Sequence, residues 1–200
     1  SRRPLAVYAL DGPEDEIRRE LKPDLRDVDS NLQPRLIDKR YTLYPMKLSG
    51  YPNSGFNPIG KILLYELPEK HNIYGFGVDT SKGVGEDSSA IEGIRKATIN
   101  KVARQVAEFA SPYISAADLH PWLHCLARLY TVPDEQGDVR QPKLVIEDNN
   151  GGGATQLAMR KLGWTQFHDW IRYDKKILRN DKATAIGFSM VEWARDLLVN

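Results

Sequence analysis

Two apolar runs in this chain end on carboxylates and lead straight into glycine. NIYGFGVD occupies 72–79 and is followed by a turn holding Gly83 and Gly85; PKLVIED occupies 142–148 and is followed by NNGGG. Short apolar runs bounded by turn residues read as strands. Asp is depleted in strands and common in turns, so one strand-end acid is ordinary turn chemistry. Two acids, Asp79 and Glu147, at matching strand ends restrict the fold more strongly, because ligands of α/β sheets gather at such ends.

The neighbouring segments fill in a layout. KILLYEL (61–67) reads as a strand stopped by Pro68, and SSAIEGIR (88–95) as the second arm of a hairpin with 72–79. TINKVARQVAEFAS fits a helix, through Val102, Val106 and Phe109, and a third meander strand equally well. Beyond Pro112, SAAD (115–118) resembles a capping box, and Leu119, Leu123, Leu126 and Tyr130 share one helical face. After NNGGG, Ala154, Ala158 and Leu162 predict a short helix closed by Gly163. QFHDWIRY alternates like a strand, and Ile186, Met190, Trp193 and Leu197 predict a helix over 182–199. Strands in a meander, then strand and helix alternating, predict a mixed α/β fold.

The length of 200 residues suits one domain with a core. Residues 1–40, charged and broken by Pro4, Pro13, Pro23 and Pro34, are expected to be an arm or linker with a short helix opening at Pro13. Residues 41–200 are expected to be the folded domain. The start SRRPLAVY, without Met, points to a piece of something longer. A net charge of +1 supplies no global field for nucleic acid, so such binding would come from local patches. The single cysteine, Cys125, forms no intrachain disulfide and fits a reducing compartment. No apolar run approaches the roughly 18 residues of a membrane span, and no membrane partner is expected.

Several motifs fall away on chemistry. GFNPIGKI (55–62) approaches a phosphate-binding loop, but Ile62 stands where Ser or Thr must hold Mg²⁺, and a strand-like run follows instead of a helix. His120 and His124 are four apart on a predicted helix without the Glu or third ligand of a zinc site, so they read as helix-surface histidines. No G-x-S-x-G elbow supports a serine triad. Trp164, Trp170 and Trp193 read as core. The acids remain. Convergent carboxylates are costly without a cation, and hard oxygen donors select Mg²⁺ or Mn²⁺. Two such ions about 4 Å apart are suited to phosphodiester cleavage.

The stretch GKILLYELPEKHNIYGFGVDTSKGVGEDSSAIEGI, with its strand, proline, Y-x-x-G-x-D, glycine turn and D-x-S-A, resembles the entry to the nuclease domain of phage large terminases. LVIEDNNGGGATQLAMRKLGW resembles that family's second block, and the likeness runs in order over residues 60–198. The resemblance implies a ribonuclease H-like fold: a mixed sheet, with an antiparallel three-strand meander plus parallel strands, flanked by helices. It thereby implies a strand over 98–110. It implies that Asp79 and Glu147 are catalytic metal ligands, that Asp87 assists a metal or its water, and that Asn149 and Gly152 shape the site; Asp148, on the other face by alternation, ranks lower. The cofactor implied is Mg²⁺ or Mn²⁺ at a two-metal site. The family supplies a further Asp from a helix after the segment resembling 182–199; here the chain stops at Asn200, so the domain is expected to lack its last helix, and Asp196 is not put in its place. RYDKKILRNDK (172–182) carries five basic and two acidic residues, so Arg172, Lys175, Lys176, Arg179 and Lys182 are candidate DNA contacts. The implied activity is metal-dependent endonucleolytic cleavage of concatemeric double-stranded viral DNA in the host cytoplasm. In the full-length protein, an ATPase domain, portal and small terminase would be the partners. A junction resolvase or transposase of the same superfamily, or a non-catalytic docking module for DNA or portal, are the alternatives.

Overall fold

The computed structural model describes residues 3–48, 60–172 and 183–186. The chain enters on β1 (Ala6–Asp11), passes through single turns of 3-10 helix at Arg19–Leu21 and Leu25–Asp27, and returns on a short β2 (Arg35–Leu36) and β3 (Thr42–Met46). Then come β4 (Lys61–Leu64), β5 (Tyr74–Asp79), β6 (Ser89–Arg95) and β7 (Arg104–Ser111), followed by α1 (His120–Leu129). A small hairpin of β8 (Val132–Pro133) and β9 (Val139–Arg140) precedes β10 (Lys143–Ile146) and α2 (Gly152–Lys161). The last described elements, β11 (Asp169–Arg172) and β12 (Ala183–Ile186), pair antiparallel.

Eight strands form one mixed sheet in the order β10-β5-β6-β7-β4-β1-β3-β2. Only β10 and β5 run parallel; the other neighbours are antiparallel. On the outer side of β10 the chain at 166–168 runs parallel to it, with Leu144 N–H donating to Gln166 O (2.7 Å) and His168 N–H donating to Leu144 O (2.9 Å). The mixed α/β expectation therefore holds. The β5–β6 hairpin forms as read. The 98–110 segment, open between helix and strand on spacing alone, forms strand β7 at 104–111.

Three expectations are corrected. The segment expected as an arm over 1–40 is, where described, part of the fold: β1 lies inside the sheet between β4 and β3, and Val7, Tyr8, Ala9 and Leu10 are all buried. A run such as AVYAL, apolar at consecutive positions, suits a strand covered on both faces. The helix expected at Pro13 is a turn followed by one turn of 3-10 helix, held because Ile17 and Leu21 enter the core. The helix expected over 182–199 begins instead as strand β12 at 183–186; Met190, Trp193, Asp196 and Leu197 lie outside the described residues.

The sheet carries two cores. On one face α1 and α2 pack over Tyr74, Phe76, Val78, Ile91, Phe109, Leu144 and Ile146. α1 begins at His120 rather than directly after SAAD, because Pro121 occupies its first turn, where a missing N–H costs nothing. Ser115 Oγ instead donates to Asp118 Oδ2 (2.7 Å) in the turn before it. On the opposite face a smaller cluster of Val7, Ala9, Met46, Leu63 and Tyr65 lies under Val28 and Leu48. Alternation along β5 places Tyr74, Phe76 and Val78 on the helix side. Gly75, Gly77 and Asp79 accordingly lie on the other side.

Candidate metal centre

Asp79 is the last residue of β5 and Glu147 the first after β10. The parallel register pairs Val78 with Ile146, and Glu147 N–H donates to Val78 O at 2.9 Å, extending the ladder one step further. Asp79 and Glu147 therefore sit side by side on strands about 4.8 Å apart, with side chains on the same face. Both are half-buried. No described residue hydrogen-bonds or ion-pairs with the Asp79 carboxylate. Hard oxygen donors in that arrangement fit a divalent cation such as Mg²⁺ or Mn²⁺.

The surrounding backbone fixes these two positions. Gly152 opens α2 directly against Glu147: a Cβ there would stand 2.9 Å from the Glu147 carbonyl carbon and nearer still to its oxygen. Only glycine permits that approach. The turn after Asp79 is pinned from below. Ser89 Oγ donates to Ile114 O (2.7 Å) and accepts from Ser81 N–H (2.9 Å), and Ser81 Oγ accepts from Gly83 N–H (3.2 Å). Gly83, at φ +72°, lies so close to the 114–115 backbone that a Cβ would stand 2.7 Å from Ser115 N. Ala116 N–H donates to Ser81 O (3.2 Å), and Thr155 Oγ1 of α2 donates to Ala116 O (2.5 Å). Turn, 114–116 segment and α2 are thus one hydrogen-bonded unit under the acid pair. Ser81, Ser89 and Thr155 are all buried, and such satisfied buried networks specify a single arrangement.

Asp87 is placed differently. It lies on the exposed part of the turn, two residues before β6, and none of the described residues pairs with it. Among the described residues no three His, Cys, Asp or Glu side chains gather as a metal-binding group; the strand register brings Asp79 and Glu147 side by side, and no strand pairing places Asp87 with them. Asp148 is exposed. Of the candidate DNA contacts, Arg172 ends β11 and is described by its backbone course; Lys175, Lys176, Arg179 and Lys182 lie outside the described residues.

Three side chains on the same face escaped the sequence reading. Register places Glu92 beside Gly77 and directly opposite Glu108 of β7, one row from the acid pair. Burial, with the Glu108 charge beside it, pushes the Glu92 carboxyl above its usual range. Glu108 accepts from Gln105 Nε2 at 3.0 Å. In the row of Asp79 the order across the sheet is Glu147, Asp79, Ala90, Ala110 and then Lys61 of β4, extrapolating the β4–β7 pairing of Ile62 with Phe109 by one residue. Lys61 thus stands about 14 Å from Asp79, three strand spacings away, across two alanines. Burial holds its ammonium below the ordinary lysine value, with Asp27 acting against that shift. The lysine of the rejected phosphate-loop look-alike is therefore a half-buried cation on the acidic face. The signal for Glu92 and Glu108 was local: each is flanked on both sides by buried strand residues, Ile91 and Gly93 for one and Ala107 and Phe109 for the other.

The histidine reading is also corrected. His124 is buried, not on the surface: its Nδ1 accepts from Trp164 Nε1 (2.9 Å) and its Nε2 bonds to Asp38 Oδ2 (2.7 Å). An indole N–H always donates, so the imidazole carries its proton on Nε2 and donates it to Asp38. Burial pushes His124 below its ordinary pKa, against the pull of Asp38. The group ties residue 38, α1 and the segment after α2 together, and Trp164 is core as expected. His120 donates from Nδ1 to Ala117 O (3.2 Å).

Set against known proteins, the chain matches no family model and no curated protein.

Proposed function

We propose that Asp79 and Glu147 hold a divalent cation and that the protein is a metal-dependent endonuclease acting on double-stranded DNA. In this reading it is a ribonuclease H-like nuclease of the kind found in phage large terminases. The observation that carries the proposal is the adjacency of the two acids on neighbouring parallel strand ends, produced by the in-phase register of β5 and β10. The strand arrangement supports it as well. β7, β6 and β5 form an antiparallel meander, β10 lies parallel beyond β5, and the chain at 166–168 lies parallel beyond β10, with helices in the two connections after the meander. A meander joined by parallel strands is what the sequence resemblance implies, and the arrangement supports the reading in that respect.

In this reading the two carboxylates supply hard oxygen donors. A bound divalent ion would contribute Lewis-acid charge against the negative charge that develops on the scissile phosphodiester. Gly152 and the Ser81–Ser89–Thr155 network keep the carboxylates in register with one another, and pre-set geometry of this kind is worth far more than later adjustment. Ala90 and Ala110 leave the sheet face low between the acid pair and Lys61, so a DNA backbone lying across it would meet Lys61 about two phosphates away from the cut. Contacts of this type position the duplex without reading its sequence.

The test is relaxation of supercoiled plasmid by the purified protein with Mg²⁺, with Mn²⁺ and with chelator. Divalent-dependent nicking that disappears in Glu147→Gln is the expected result. Nicking that persists undiminished in chelator would rule out the metal-dependent reading.

A further inference from the structure

At the other end of the sheet a pocket lies between the β6–β7 turn and the segment after β4. It is lined by Glu66, Glu69, Arg95, Asn100, Lys101 and Arg104. Arg95 pairs in register with Tyr74, the first residue of β5, so the pocket is about 17 Å along that strand from Asp79. It owes nothing to the metal-centre reading.

The charges here do not cancel. Arg95 Nε donates to Glu66 Oε2 at 3.2 Å, and Arg104 Nη1 stands 3.5 Å from the other Glu66 oxygen. Lys101 Nζ donates to Glu69 Oε2 at 2.7 Å, an oxygen that also accepts from Asn72 Nδ2 at 3.1 Å. Three cations thus share two carboxylates, and both carboxylates are already engaged. The Arg95 side chain is only 8% exposed, and its Nη1 has no hydrogen-bond partner. A buried guanidinium N–H without an acceptor is costly, and charged donors cost more than neutral ones. The missing partner is an acceptor, and the missing charge is negative.

We propose that this pocket is a binding site for a phosphate-class oxyanion, free or as a phosphomonoester. A phosphate supplies acceptors for the Arg95 guanidinium, for Lys101, for Arg104 and for the Asn100 amide at once, and planar guanidinium groups match its geometry. Nη1 is itself buried, so an anion reaches it only if side chains at the pocket rearrange; those of Lys101 and Arg104, 45% and 53% exposed, have room to do so.

The experiment is calorimetric titration of the whole protein with inorganic phosphate, and separately with ethyl phosphate, at ionic strength held constant with sodium chloride. Saturable binding of one equivalent is expected, weakened at least tenfold in the double variant Lys101→Gln/Arg104→Gln and unchanged in Arg128→Gln. The double variant alters only exposed side chains, so the test does not depend on whether an Arg95 variant folds. Binding of both ligands assigns the site to phosphomonoesters; binding of inorganic phosphate alone assigns it to the free anion. Absence of saturable heat with either ligand, or equal affinity in the double variant, would overturn the proposal.

Discussion

Gly152→Ala tests whether the acid pair is held from behind by α2. A Cβ at 152 would stand 2.9 Å from the Glu147 carbonyl carbon, with the carbonyl oxygen closer still. Ordinary carbon–carbon contact is about 3.5–4.0 Å, so the start of α2 and the Glu147 backbone must part by roughly 1 Å. Both atoms being crowded belong to backbone, so no rotamer change relieves the contact. Overpacking of this kind costs about 1–3 kcal/mol, and a displacement of that size at a catalytic carboxylate costs about 10²-fold in rate. The neighbouring Gly153→Ala is the control. Its Cβ would meet nothing nearer than Asp148 Oδ1 at 3.9 Å, an ordinary contact. Replacing a helical glycine by alanine stabilises by up to about 1 kcal/mol. Urea denaturation and plasmid nicking of the two variants are the assays. Gly152→Ala is expected to lose both stability and cleavage, with Gly153→Ala retaining both. Equal behaviour of the two variants would refute the reasoning.

Lys61→Gln is expected to raise KM for duplex DNA several-fold and to lower its salt dependence, with divalent-metal affinity unchanged; plasmid-nicking kinetics at two salt concentrations check this. Glu92 has a raised folded pKa, so the native state binds more protons than the unfolded one above about 4.5, and stability falls as pH rises through the folded value. Glu92→Gln removes a like-charge pair facing across two strands. It should stabilise by about 1 kcal/mol at neutral pH, and less near pH 4, in denaturation curves run at both. His124 has a lowered folded pKa, so the unfolded state binds the extra proton first; stability is full above the ordinary value of about 6.5 and is lost as pH falls through the folded value. Trp164→Phe removes the donor to Nδ1, should cost about 1–2 kcal/mol at pH 8 and should flatten that acid dependence, as read by denaturation from pH 8 to 5.

Much of the site was legible because it rests on period and punctuation. YGFGVD and KLVI are short apolar runs that end at turn residues, and those ends mark where the acids stand. The register that sets Asp79 beside Glu147 was not legible, since a one-residue slip would send one of them to the other face. β1 was misread because Pro4 and Pro13 dominated the reading, although AVYAL between them is apolar at every position. His124 looked like a surface residue because its partners, Asp38 and Trp164, are 86 and 40 residues away in sequence. The buried hydrogen bonds of Ser81 and Ser89 were not legible for the same reason: the carbonyl they serve, directly or through one another, belongs to Ile114. Lys61 was set aside with a failed motif, and only strand pairing shows it sharing a row with Asp79.

The most direct measurement of the central claim is Mn²⁺ binding to the whole protein, followed by electron paramagnetic resonance, in wild type and in Asp79→Asn. Saturable binding in wild type, weakened at least tenfold by the loss of one carboxylate charge, is the predicted result. Equal Mn²⁺ affinity in the two proteins would contradict the assignment of Asp79 and Glu147 as a metal centre.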